Sequence, residues 1–357
     1  MEEQLFSPLD ELPIEEVLAA LLDEDQVLDP LNLYRLSDIG PDNLSDLVRI
    51  WEDIHVERRR ALLDDLEQLT DSNNLLSFEP IFRFALKDQD EQVRFYATRA
   101  IEVFDTDDLI PFFISVLDKE ESNDVRAVTA SVLGKYIYRG ELDKISQEDK
   151  NNIENKLLYI LESDQPSSIQ RCALEAISYS SRSEVQRHIL NAYQSEDEGW
   201  IASAVFAMGR SLDQQYSEMV FDQLGHTSPK VRLEAVRACG ELVLEDAVPI
   251  ILDLLDDLPE IRKAAIWSLS QIGGEEAGPA IHQLLDNEIS DDESELIQQA
   301  LERLDFLEEG LNLSMFDLPY PEGDEYELEE YPYDQDEYDQ LDYELDDFDL
   351  DDDQWLE

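Results

Sequence analysis

The sequence predicts an all-α fold: a right-handed solenoid of about seven or eight helical hairpins, followed by an acidic, disordered C-terminal tail. Three observations carry that expectation. A block of apolar residues with helical spacing recurs seven times along the chain. A second apolar helical pattern lies between successive blocks. No alternating Val/Ile/Thr-rich segment bounded by turn residues occurs, so no sheet is expected.

Each block opens on an apolar residue, namely Val93, Val125, Ile169, Trp200, Val231, Ile261 and Leu296, at intervals of 32, 44, 31, 31, 30 and 35 residues. Four positions on stand Ala97, Thr129, Ala173, Ala204, Ala235, Ala265 and Ala300, six of the seven being alanine. Eight positions on come Ile101, Leu133, Ile177, Met208, Cys239, Leu269 and Leu304, all apolar. These offsets fall on one stripe of a helix, and the small middle residue lets a neighbouring helix come close.

Between blocks, residues 109–117, 157–161, 185–193, 216–224, 247–255 and 277–285 form the second helix of each unit. Ser228-Pro229 and Asp257-Leu258-Pro259 supply helix starts in which the missing proline N–H costs nothing. Neither helix of a hairpin hides its apolar face alone, so the units must stack. Each buried Leu or Ile contributes about 1.5–3 kcal/mol, so two or three shared side chains per junction decide whether a unit folds. Gly134, Gly209 and Gly240 recur at one repeat position and mark close helix approach or a last turn.

Upstream, 44–54 and 56–69 read as one more degenerate pair, and 13–22 as a capping helix. The expected organisation is a helical cap over 1–43, the solenoid over 44–310 and the tail over 311–357. The 44-residue interval holds an insertion near 139–150, read as a contact-bearing or simply solvated connection. Lys135, Arg139, Lys144, Lys150 and Lys156 make this the most lysine-rich stretch of the chain, and Ser146 to Asp149 has the Ser-x-x-acid pattern of a helix start.

The strings from Pro229-Lys230-Val231-Arg232 to Cys239-Gly240, and from Ile261-Arg262-Lys263-Ala264-Ala265 to Ile272-Gly273-Gly274, resemble the HEAT-like repeats, most closely the short bacterial variety named after phycobilisome lyases. The resemblance covers roughly 75–307 and is strongest over 196–285. It implies an arginine ladder, in which the Arg after the first apolar residue pairs with an acid of a neighbouring unit. The matching residues are Arg94, Arg126, Arg232 and Arg262, while Gln170, Ile201 and Ile297 break the series. It also implies an alternative reading as a lyase or lyase subunit resembling the bilin lyases.

A formal charge of −61, from 87 acidic and 26 basic residues, excludes modes of binding that wrap phosphate backbones. The same charge argues against anionic membranes and for a protein partner with a basic surface. Self-repulsion favours a monomer. Two cysteines, Cys172 and Cys239, form no disulfide framework or metal spacing, and no long apolar run is present, so the expected location is cytoplasmic. His55, His188, His226 and His282 fall in different units without metal-ligand spacing and read as surface or helix-end residues. No catalytic, cofactor or metal residue is expected.

Residues 311–357 hold 20 Asp or Glu and no Lys or Arg, which should prevent a compact fold. Interleaved with the acids are Phe316, Tyr320, Tyr326, Tyr331, Tyr333, Tyr338, Tyr343, Phe348 and Trp355. Acids speed encounter with a basic surface, and aromatics add contact area. Three readings of the tail stand: a solubiliser, a ligand for a basic protein or mimic of nucleic acid, and a segment folding back on the arginine ladder. The function expected is a non-catalytic, protein-binding scaffold using a concave helical surface and this tail. The candidate partner-binding residues are the tail aromatics and the four ladder arginines, for which a structural role is the stronger explanation. A chaperone-like holder of basic proteins is the third reading.

Overall fold

The computed structural model describes residues 12–23, 28–73, 75–286 and 290–312. Two short helices come first, α1 (Ile14–Leu22) and α2 (Pro30–Tyr34). Eight hairpins follow. They are α3 and α4 (Pro41–Ile50, Val56–Ser72), α5 and α6 (Glu79–Ala85, Glu91–Ala100), α7 and α8 (Ile110–Lys119, Asn123–Glu141), and α9 and α10 (Gln147–Glu162, Ser167–Ile177). The remaining four are α11 and α12 (Ser183–Tyr193, Glu198–Arg210), α13 and α14 (Ser217–Asp222, Pro229–Glu241), α15 and α16 (Val248–Asp253, Pro259–Ile272), and α17 and α18 (Ala277–Gln283, Asp291–Asn312). No strand occurs among the described residues.

Local chemistry starts these helices where the sequence indicates. Pro229 and Pro259 occupy the first turns of α14 and α16. The Asp90 and Asp197 carboxylates accept two backbone N–H groups each at the starts of α6 and α12, satisfying donors that a helix start leaves without partners. Ser146 accepts the Asp149 N–H at 3.0 Å and opens α9. The insertion is therefore mainly helix rather than loop: it lengthens α8 and α9 to 19 and 16 residues. Four of the five basic residues of this stretch are occupied, all but the exposed Lys144. Lys135 donates to the Glu102 and Phe104 carbonyls at 2.6 Å, Lys150 pairs with Glu141 at 2.9 Å, and Arg139 and Lys156 pair with Asp107 and Asp118.

One continuous apolar core runs from Ile14 to Leu304. The repeated stripe is its spine: of the three positions per block, all are buried except Trp200 and Leu296, which are half-buried. In the last block the buried residue is Ile297, one place later than the spacing suggested. The second helices, α4 through α16 in even numbers, pack each on the next as a close-packed layer, while the first helices touch their counterparts sparingly.

Glycine sets how close these neighbours come. A Cβ on Gly134 of α8 would lie 3.1 Å from the Ala176 Cα, one on Gly209 of α12 2.8 Å from the Ala238 Cα, and one on Gly240 of α14 2.9 Å from the Ser268 Cα. The three junctions so formed, α8 on α10, α12 on α14 and α14 on α16, are the most extensive in the array. At the same repeat position α6 is followed by Glu102, and α10 by Ser178; α6 on α8 and α10 on α12 touch over less of their length. Gly209→Ala is expected to cost about 1–3 kcal/mol through overpacking, read as a lower urea midpoint at unchanged slope. Gly225→Ala, with nothing within 4 Å of the added carbon, is the control and should stay within about 0.5 kcal/mol of the parent.

Candidate functional site

The four ladder arginines sit between units, and their guanidinium groups are engaged. Arg94 meets both Glu120 oxygens at 2.7 and 2.9 Å, and Arg232 meets both Asp257 oxygens at 2.9 Å. Arg262 meets Glu293 at 2.5 and 3.1 Å. Arg126 donates at 2.7 Å to the Gln165 side-chain oxygen, so this rung carries no charge pair. Each acceptor lies at the start of the next unit's second helix or in the turn before it. Arg60, a rung not expected from the sequence, clamps Asp90 at 2.6 and 2.9 Å. At the breaks, Gln170 turns back to the Ser163 carbonyl at 2.8 Å, and Ile201 supplies no donor. Arg232 holds the Asp257 carboxyl below the usual carboxylate range.

With the arginines committed to the stack, the available surface is the solvent side of the close-packed layer. Offsets three, six and ten from each block start place side chains beside the buried stripe. On α6 these include Tyr96 and Arg99, with the Arg99 guanidinium 5.3 Å from the Tyr96 ring centre. On α8 they include Lys135, on α10 Glu175 followed by Tyr179, on α12 Phe206 and Arg210, on α14 Glu234, Arg237 and Glu241, and on α16 Trp267. All of these are exposed or half-buried. The middle of this ridge is a groove of 380 Å³ whose walls include Lys135, Tyr138, Glu175, Tyr179, Phe206 and Arg210.

Two chemistries meet in that groove. The Tyr138 and Tyr179 rings lie 5.4 Å apart, and Arg210 stacks over Phe206 and Tyr179 at 5.2 and 5.8 Å. Beside them run three carboxylates, Glu175, Glu234 and Glu241, all raised above the usual range, chiefly because burial removes water from the charged form. Glu175 accepts from the Ser203 hydroxyl at 2.5 Å. Glu234 accepts from Arg237 through one oxygen at 3.1 Å, and its other oxygen is buried without a hydrogen bond. Arg210 approaches Glu241 at 3.2 Å. Carboxylates that burial makes costly to ionise, set among aromatic rings, suit an incoming lysine or arginine, which adds positive charge beside the first and contact area on the second.

The sequence reading missed this ridge, although its signal was available: the residues at offsets three, six and ten are aromatic or charged where the stripe beside them is apolar. The tail candidates Tyr320, Tyr326, Tyr331, Tyr333, Tyr338, Tyr343, Phe348 and Trp355 lie outside the described residues. Trp51 is core, donating from its indole to Asp88 at 2.5 Å. His55 and His226 accept backbone N–H groups from Glu57 and Ser228 at 3.3 and 3.0 Å, as helix-end residues do. Burial pushes the Cys239 thiol up to about 12, which leaves it inert. Among the described residues no group of three His, Cys, Asp or Glu is placed to hold a metal ion, and no helix is long and apolar enough to cross a membrane.

A raised carboxyl destabilises the folded state once it ionises. Its favourable contribution is full below the unfolded value and is lost as pH rises through the folded one. Glu175→Gln keeps the acceptor for Ser203 and removes the charge. It is expected to raise the melting temperature at about pH 7.5, with the advantage over the parent fading as pH falls toward about 4, near the unfolded carboxyl value.

Residues 217–302 match a family model of HEAT repeats. No curated protein matches the chain. Among solved structures, the CpcE–CpcF phycocyanin lyase complex of Nostoc sp. PCC7120 is similar at 16% identity over 63% of this chain and 94% of that one, with a TM-score of 0.43. YibA of Escherichia coli is similar at 17% identity over 69% of this chain and 96% of that one, with a TM-score of 0.38. Yeast importin-β is similar at 13% identity, over 83% of this chain and 47% of that one, with a TM-score of 0.43. This chain thus spans about half of the importin's length. The stacked hairpins, shared stripe and cross-unit arginine rungs of the described residues agree with HEAT-like repeats, the family whose model matches residues 217–302.

Proposed function

We propose that the protein is a non-catalytic scaffold that grips a partner protein along the solvent side of its close-packed layer of helices. The observation that carries this reading is the central groove. There, Glu102 and Glu175 are held short of water beside Tyr138, Tyr179 and Phe206, and the similarly raised Glu234 and Glu241 continue the ridge on the neighbouring helix. The partner presents lysine or arginine on an extended or helical segment. Its cations take up the electrostatic role that water has lost, and the rings supply contact area. The strongly negative chain speeds that encounter, and added salt slows it. The protein acts as a monomer, and the acidic aromatic tail adds a second, weaker attachment to the same partner. The lyase alternative is not carried forward: the likeness to the phycocyanin lyase complex carries no argument about chemistry.

The test is comparative affinity purification from the source cell with quantitative mass spectrometry. The baits are the full chain, residues 1–310, and the full chain carrying Tyr138→Ala with Tyr179→Ala. Circular dichroism checks that each bait is folded. The expected result is a partner retained by residues 1–310, at reduced yield, and lost by more than about tenfold from the double variant. Equal recovery on the double variant and the parent would refute the groove as the gripping surface. Loss from residues 1–310 alone would transfer the role to the tail.

A further inference from the structure

A second groove lies on the edge of the array where one hairpin turns into the next, away from the ridge residues. It has a volume of 610 Å³ and lies between α13 and the turn leading into α15. Its lining joins the apolar Phe221, Val243 and Leu244 to the acidic Glu218, Asp222, Glu245 and Asp246. The Gln214 side chain spans the two sides, donating to the Leu242 carbonyl at 2.9 Å. Residues 211–229 and 241–261 hold no lysine or arginine. The arginines bordering these stretches, Arg210, Arg237 and Arg262, are engaged by Glu241, Glu234 and Glu293, while Lys230 at the start of α14 is exposed.

Val243 is 53% exposed, and its backbone is left-handed with φ of 53°. A β-branched residue there is strained. The same place in the preceding unit is Leu212, 64% exposed with φ of 54°, and in the following unit Gly273 with φ of 83°. An apolar side chain thus stands in water at a position whose backbone suits glycine.

We propose that this groove docks a segment of a partner protein in which an apolar side chain is flanked by lysine or arginine. The apolar residue covers Phe221, Val243 and Leu244, and the flanking cations meet the four carboxylates. A second copy of this chain is a poor occupant, because each copy carries a formal charge of −61. An anionic ligand is disfavoured on the same ground. The proposal is independent of the ridge and adds a second contact to it.

The test is methyl NMR of the full chain titrated with the synthetic peptide acetyl-Lys-Arg-Leu-Lys-Phe-Arg-Lys-amide. Its two companions have serine in place of Leu and Phe, or glutamate in place of every Lys and Arg. The expected result is saturable shifts of the Val243 and Leu244 methyls with the first peptide, and binding weaker by about tenfold or more with either companion. Val243→Gly suits the left-handed backbone and therefore keeps the fold. It and Glu218→Lys with Glu245→Lys should each weaken binding by about the same factor, followed in the variants by the Leu244 methyls. Tyr179→Ala should leave it unchanged. The proposal is overturned if these methyls do not move at millimolar peptide, if the serine peptide binds as well as the first, or if Val243→Gly binds as the parent does. Loss of binding in Tyr179→Ala also overturns it, by placing the peptide on the ridge; the ridge reading itself stands or falls on its own purification experiment.

Discussion

The fold depends on one constraint: a two-helix unit has an apolar face that it cannot cover by itself. A buried leucine or isoleucine contributes about 1.5–3 kcal/mol only if a neighbour removes it from water. In this chain the neighbour is always the next hairpin. That is why the core is a single run from Ile14 to Leu304 rather than a set of separate cores. It is also why small residues such as Ala97, Ala173, Ala204, Ala235 and Ala265 occupy the middle of the stripe, where helix meets helix.

Two devices reinforce the shared face, and they are distributed unevenly. Glycines draw α8 to α10, α12 to α14 and α14 to α16. Guanidinium rungs from Arg60, Arg94, Arg126, Arg232 and Arg262 tie units end to end. Most junctions have at least one device. The junction of α10 with α12 has neither, since Ser178 stands at the glycine position and Gln170 at the arginine position. A cavity of 280 Å³ lined by Gln170, His188 and Trp200 lies at this junction. The central groove spans the same junction, with its aromatic walls Tyr179 after α10 and Phe206 on α12 on either side of it.

Much of the fold was legible because the constraint repeats. A stripe imposed seven times on one chain averages out local noise, so its positions and the first helices between them follow from spacing, whereas the arginine rungs and the breaks at Gln170 and Ile201 were expected from the resemblance to HEAT-like repeats. Proline and Ser-x-x-acid starts were legible for the same reason, being local chemistry. The insertion was not, because helix and solvated loop share the polar composition of 139–150, and only packing on the neighbouring units decides between them. The slip from Leu296 to Ile297 falls in a run of two apolar residues, where spacing alone does not choose.

The ridge escaped notice for a different reason: its residues are not defined by type but by standing beside the stripe. Glu175 and Glu234 read as two acids among 87 until burial distinguishes them. The left-handed turns at Leu212 and Val243 carry no glycine to announce them. All of this rests on hairpins stabilising one another. The most direct measurement is urea unfolding by far-ultraviolet circular dichroism of nested fragments ending at Ile272: α15–α16 alone, α13–α16, and α9–α16. The account expects little helix in the single hairpin, with helicity per residue and midpoint rising as each unit is added. A lone hairpin as helical and as resistant to urea as the longest fragment would contradict it.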